Sequence, residues 1–194
     1  MSVYCLYVEN NLILSTEHGP KGGDEINKIV FGENYGWKIL GWGGKNYSGT
    51  EIGPKWKPGF TKAIYYWVPS IATSAIAIYK GKEFNDWNGH ALVTSLKDRS
   101  LRKLIFKDVN EVKEDIIFKN TIGRIRDIQV QPNTGKLFLL SDSLENERRN
   151  LSYQRLFGQM IATQDNLADI VAHKTGRLIK TVVVKAASLM FLPI

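Results

Sequence analysis

The sequence predicts an all-β protein, and three observations carry that expectation. Seven short aliphatic or β-branched runs recur within the first 142 residues, each bounded by Gly, Asn, Asp or Pro. Two of them, "HALVTSLK" and "GKLFLLSD", start 45 residues apart and share one form, an apolar strand ending in Ser and a charged residue; "NLILSTEH" has it too. Strands repeated at such a spacing suggest the blades of a β-propeller, with a generic antiparallel β-sandwich as the alternative.

The expected strands, in order, are 11–17, 26–32, 74–81, 90–97, 102–108, 125–131 and 135–142. Turn signals separate several of them: "ENYGW" at 33–37, "DWNG" at 86–89 and "PNTG" at 132–135, where Gly135 is suited to positive φ. Residues 38–60, rich in Gly, Trp and Lys and weakly periodic, read as a long ordered loop of the functional kind. From Ser143 the character changes. Leu156, Met160, Ile161, Leu167, Ile170 and Val171 recur at helical spacing, and an apolar run continues to Ile194. The chain is therefore expected to divide into a β region, 1–142, and a divergent, partly helical tail, 143–194.

Composition narrows the classes. No apolar run approaches the roughly eighteen residues that span a membrane. The N-terminus lacks a basic region and carries Glu9 among its apolar residues, so it does not read as a signal peptide. A single cysteine, Cys5, excludes an intrachain disulfide and a Cys-based zinc site. The net charge is +7, but the lysines and arginines are scattered. That pattern favours an anionic small molecule gathered in a pocket over nucleic acid.

The most distinctive stretch is "EHGPKGGDEINKI". It joins a bendable loop to closely spaced carboxylates, the residue types that let backbone carbonyls and carboxylates converge on a hard cation. Further on, Arg124 and Arg126 in "GRIRD" are two apart, so in a strand both face one way and both forks reach one anion.

Four pieces in this order, "STEHGPKGGDEINKIVFGENYGW", "WVPSIATSAIAIYKG", "FNDWNGHALVTSLKDRSLRKL" and "GRIRDIQVQPNTGKLFLLSD", resemble the soluble quinoprotein sugar dehydrogenases, the glucose/sorbosone dehydrogenase family. The resemblance covers about two thirds of the chain, from Leu12 to Asp142. It implies the later half of a six-bladed β-propeller, about three blades, that uses pyrroloquinoline quinone (PQQ) and Ca2+. It implies an aldose sugar substrate oxidised at C1, an external electron acceptor and a periplasmic location. By the same resemblance the carbonyls of Gly19 and Pro20 bind the PQQ-associated calcium with Asp24 beside them, and Glu25 and Tyr35 bind a second, structural calcium. Arg124 and Arg126 take the PQQ carboxylates, Lys97 matches a lysine on the cofactor, and Trp67 lies at the cofactor and substrate face. Each of these also has a plainer reading, as an exposed turn, an ordinary surface cation or a packed aromatic.

The resemblance also implies what this stretch lacks. The family's catalytic base is a histidine of an earlier blade, so none of His18, His90 and His173 is assigned that role and no catalytic residue is expected in this chain. Thr73 stands where relatives usually carry Pro, and the tail after Asp142 does not match the family's closing blade. The expectation is an inactive fragment of a sugar dehydrogenase, or a calcium- and PQQ-binding interaction module, with a homodimer of two half rings as one route to closing the ring.

Overall fold

A computed structural model of the chain describes residues 2–7, 12–107, 111–121, 123–141 and 182–185. They form three sheets. In the first, β1 (Ser2–Tyr7), β2 (Leu12–Glu17), β3 (Asp24–Lys28) and β4 (Tyr65–Trp67) follow one another antiparallel. The second repeats that order with β5 (Thr73–Ile78), β6 (Ala91–Ser95), β7 (Ser100–Phe106) and β8 (Val112–Lys119). The third pairs β9 (Ile125–Val130) antiparallel with β10 (Leu137–Ser141), and adds β11 (Val182–Lys185) parallel to β10. The first strands of the outer sheets, β1 and β9, both pack against β5, the first strand of the middle one. Successive antiparallel sheets meeting along their first strands are the radial arrangement of propeller blades.

The three look-alike segments are β2, β6 and β10, the second strand of each sheet. The middle sheet explains why β6 reads as a continuous apolar run. One of its faces contributes Ala75, Leu92 and Leu101 to a core shared with Ile125, Ile128 and Leu139 of the third sheet. The other contributes Ile76, Val93 and Leu104 to a core shared with Leu14, Ile26 and Trp67 of the first. A strand covered on both faces has no polar side to alternate with, and all five residues of β6 are buried.

The long connection between β3 and β4 contains no strand, only a bridge between Lys45 and Glu51. Its backbone fits closely against the β2–β3 loop: Lys21 N–H donates to the Lys45 carbonyl at 3.0 Å, and Gly44 and Gly22 lie in backbone contact. Four strands, β1, β4, β8 and β11, go beyond the seven expected. The expected helical stretch of the tail lies outside the described residues, and Val182–Lys185 within it is a strand. Among the described residues no helix is long and apolar enough to cross a membrane.

Candidate functional site

Antiparallel order alternates the ends at which connections lie, and this alternation gathers the candidate residues. The β2–β3 turn, the β4–β5 connection, the β6–β7 turn and the β8–β9 connection all fall at one end of the sheets. Gly19 and Pro20 are in the first of these and Asp24 closes it. Trp67 opens the second, Lys97 is in the third, and Arg124 is in the fourth with Arg126 just inside β9. Residues more than 100 positions apart in the chain thus share one rim.

Buried Asp24 is the organiser of this rim. Its Oδ1 accepts from Gly19 N–H at 2.8 Å and from the Ser70 hydroxyl at 2.6 Å. Its Oδ2 accepts from Ala72 N–H at 2.6 Å and Thr73 N–H at 3.3 Å. One carboxylate therefore clamps the β2–β3 turn to the β4–β5 connection. That connection in turn fixes the next turn, since the Ala72 and Ile71 carbonyls accept from Leu96 N–H at 2.8 Å and Lys97 N–H at 3.0 Å. The Ser74 hydroxyl donates to the Ile125 carbonyl at 2.6 Å, which ties in the residue between Arg124 and Arg126. The side chains of Lys97, Arg124 and Arg126 are exposed.

Trp67 is at the same end but 6% exposed, packed edge-on against Tyr65. Its indole N–H donates to Glu114 Oε1 at 2.6 Å, and the same oxygen accepts from Arg102 Nη1 at 2.6 Å. Buried Arg102 also donates from Nη2 to Asp98 and from Nε to Ser100 Oγ at 2.9 Å. Burial alone would raise the Asp98 carboxyl, but hydrogen bonds from Ser95, Arg102 and Ser100 outweigh it and hold the group below its ordinary value.

A second polar cluster lies one residue along β3. Glu25 and Asn27 are on one face of the strand, and Glu17 pairs with Glu25 across it. The Asn27 amide donates to Glu17 Oε1 at 3.1 Å and to Glu25 Oε1 at 3.2 Å. Glu25 Oε2 and Asn27 Oδ1 are buried without a hydrogen-bond partner. Burial, with Glu17 and Asp24 near by, pushes the Glu25 carboxyl up to about 7 against the bonds from Asn27 and Trp42. Tyr35, the expected companion of Glu25, donates its hydroxyl to the Lys28 carbonyl at 2.6 Å and accepts from Val30 N–H at 2.8 Å. Among the described residues no three His, Cys, Asp or Glu side chains group as a metal site. A cation here would rest on carboxylates together with amide or backbone oxygens, a donor set that suits calcium.

Sequence reasoning missed Ser70, Asp98, Arg102, Glu114, Glu17 and Asn27. Asn27 alone had a local signal, its i, i+2 spacing from Glu25; the others meet their partners through register and sheet packing.

A family model described as Glucose / Sorbosone dehydrogenase matches residues 4–151. The aldose sugar dehydrogenase YliI of Escherichia coli (strain K12) is 34% identical over 147 residues, which are 74% of this chain and 39% of that protein. An uncharacterized protein of Synechocystis is 32% identical over 132 residues, or 67% of this chain and 31% of its own. Among solved structures, the apo form of the soluble aldose sugar dehydrogenase from E. coli is similar with a TM-score of 0.63 at 34% identity, over 70% of this chain and 40% of that one. A PQQ-bound aldose sugar dehydrogenase from Streptomyces coelicolor shares the fold, with a TM-score of 0.54 at 21% identity over 78% of this chain and 39% of that one. The chain thus spans well under half the length of the relatives it matches. With the motif order, the radial sheets and a family match over three quarters of the sequence, this chain belongs to the glucose/sorbosone dehydrogenase family.

Proposed function

We propose that the rim built from the four connections binds PQQ together with calcium, as part of a sugar dehydrogenase that oxidises an aldose at C1 to the lactone. The observation that carries this reading is the convergence of Gly19, Pro20, Lys97, Arg124 and Arg126 on one end of the sheets, braced by Asp24. PQQ is a flat tricarboxylate, and three exposed cations on a shared rim are what such an anion needs. Arg124 and Arg126 take carboxylates through their forks, and Lys97 adds a point charge from the neighbouring turn. Gly19 and Pro20 offer calcium their carbonyls, which accept no backbone hydrogen bond among the described residues. Asp24 acts by holding that loop. Glu25 forms the second cation site with Glu17 and Asn27 beside it, while the Tyr35 hydroxyl is engaged by the Lys28 and Val30 backbone; the orphaned, buried oxygen of Glu25 fits a missing positive charge.

When bound, the quinone supplies hydride acceptance from C1 of the sugar, and electrons leave to an external acceptor. This chain's residues bind, orient and shield. Removal of the sugar hydroxyl proton falls to a residue outside those described. His18 is at the rim, but its Nε2 is held against the Thr73 carbonyl. His90 begins the opposite end of β6, where its Nδ1 faces Phe106 N–H and burial lowers its basicity.

Titrating the 194-residue chain with PQQ in excess calcium, followed by tryptophan quenching, tests the binding reading. Saturable binding that disappears with chelator supports it, and its absence at millimolar PQQ overturns it. With the family's base histidine expected outside these residues, no dye reduction is expected with glucose, PQQ and calcium above a no-protein control. A second reading, a non-catalytic calcium- and PQQ-binding module, is favoured by the same placement of His18 and His90.

A further inference from the structure

The rim has a buried ionic belt behind it. From Trp67 the contacts run to Glu114, then Arg102, then Asp98, which sits directly after Lys97. Lys97 N–H donates to the Ile71 carbonyl, within the connection that Asp24 holds, and Asp24 pairs across the sheet with Trp67. The belt therefore closes on itself. It joins the outer strands of two neighbouring sheets, β4 and β8, and runs from Glu114, early in β8, through Arg102 back to Asp98 in the turn that carries Lys97.

A buried ion pair is weak grounds for stability, because desolvating the charges offsets most of their attraction. Such groups are better at fixing one arrangement. Here Glu114 Oε1 accepts from both the Trp67 indole and the Arg102 guanidinium, so the indole plane is set by a charge that is itself locked. Asp98 meets Arg102, Ser95, Ser100 and Lys119, which freezes the turn that presents Lys97. Neither Glu114 nor Arg102 has an exposed side chain with which to meet a ligand at the rim.

We infer that Glu114 and Arg102 are positioning residues for planar polycarboxylate binding. They orient Trp67 and, through Asp98, the Lys97 turn, and so set the affinity of the rim without touching the ligand. This rests on the reading of the rim as a PQQ site.

The test compares Glu114→Ala, Glu114→Gln and Leu104→Val in the full chain. Leu104 is buried in the same intersheet core and pairs with Glu114 across β7 and β8, but its apolar side chain makes none of the belt's hydrogen bonds, so its truncation perturbs the packing around the belt and leaves those bonds in place. PQQ affinity is read by fluorescence titration with calcium present, at a temperature where near-UV circular dichroism shows each variant folded. Glu114→Ala is expected to weaken PQQ by about tenfold, the lower end of what outer partners contribute at ligand sites. Glu114→Gln, which keeps an oxygen for the indole, falls between it and the wild type, and Leu104→Val binds as the wild type does. Wild-type affinity in Glu114→Ala overturns the inference. So does an equal loss in Leu104→Val, which would mean that affinity follows stability alone. A wild-type chain that binds no PQQ removes the site reading and this inference with it, and is told apart from the other failures by its silence before any substitution.

Discussion

Asp24→Asn keeps size and shape and removes one acceptor position and the charge. Four donors converge on the two carboxylate oxygens, with Gly19 N–H and the Ser70 hydroxyl on one and Ala72 N–H and Thr73 N–H on the other. An amide oxygen serves one pair. If it stays with the two backbone groups of the β4–β5 connection, its NH2 faces Gly19 N–H, and only Ser70 can turn to accept. One buried donor is then orphaned, at about 1–3 kcal/mol, and the remaining bonds lose the strength that the charge gave them. The expected destabilisation is about 3 kcal/mol, a large share of what a domain of this size has. Urea unfolding at neutral pH measures it as a lower midpoint with an unchanged slope. PQQ titration of the folded variant should show weakened binding, because the Gly19–Pro20 loop is no longer clamped. A loss below about 1 kcal/mol would refute the reasoning, since buried donors left unpaired cannot be that cheap.

Three other outcomes follow from the same geometry. In calcium-free buffer, wild-type stability relative to Glu25→Gln should fall as pH rises from about 4.5 to about 7: the native carboxyl holds its proton up to about 7 and the unfolded one releases it near 4.5, so the native state is the one binding more protons in that window. Urea midpoints of the two proteins at pH 4, 6 and 8 give the difference, and a pH-independent gap contradicts the buried carboxyl. Arg124→Ala together with Arg126→Ala should weaken PQQ at least about a hundredfold, at roughly 1.5–3 kcal/mol for each charged hydrogen bond lost, with little change in melting temperature because both side chains are exposed; unchanged affinity by titration removes them from the site. Gly19→Ala should disrupt the loop, because its Cβ would meet the Gly22 carbonyl oxygen at 1.9 Å; retention of wild-type calcium and PQQ binding would show that the loop conformation is not needed.

The second strands of all three sheets were legible because β2, β6 and β10 each carry a continuous aliphatic run, which in β6 follows from burial on both faces. β4 escaped because three aromatic residues are too short a pattern, and β8 because Lys113, Glu114 and Asp115 mask its apolar half. The rim was legible as motifs, since Gly19, Pro20, Asp24, Lys97, Arg124 and Arg126 each sit in a distinctive local string. Its bracing was not. Asp24 meets Ser70 across 46 positions, and Trp67 meets Glu114 across 47, through pairings that no local string records. The same limit hid Glu17, whose place beside Glu25 follows from strand register alone.

The alternation of connections has a practical side. The β5–β6 and β9–β10 turns face away from the rim, and exposed Asn133 sits at the tip of the second. Its neighbour Gly135 is pressed against the Tyr79 hydroxyl and tolerates nothing larger, whereas Asn133 points outward. A surface linker attached at Asn133 would hold the protein by its back and leave the rim turned toward solution, where a ligand can come and go.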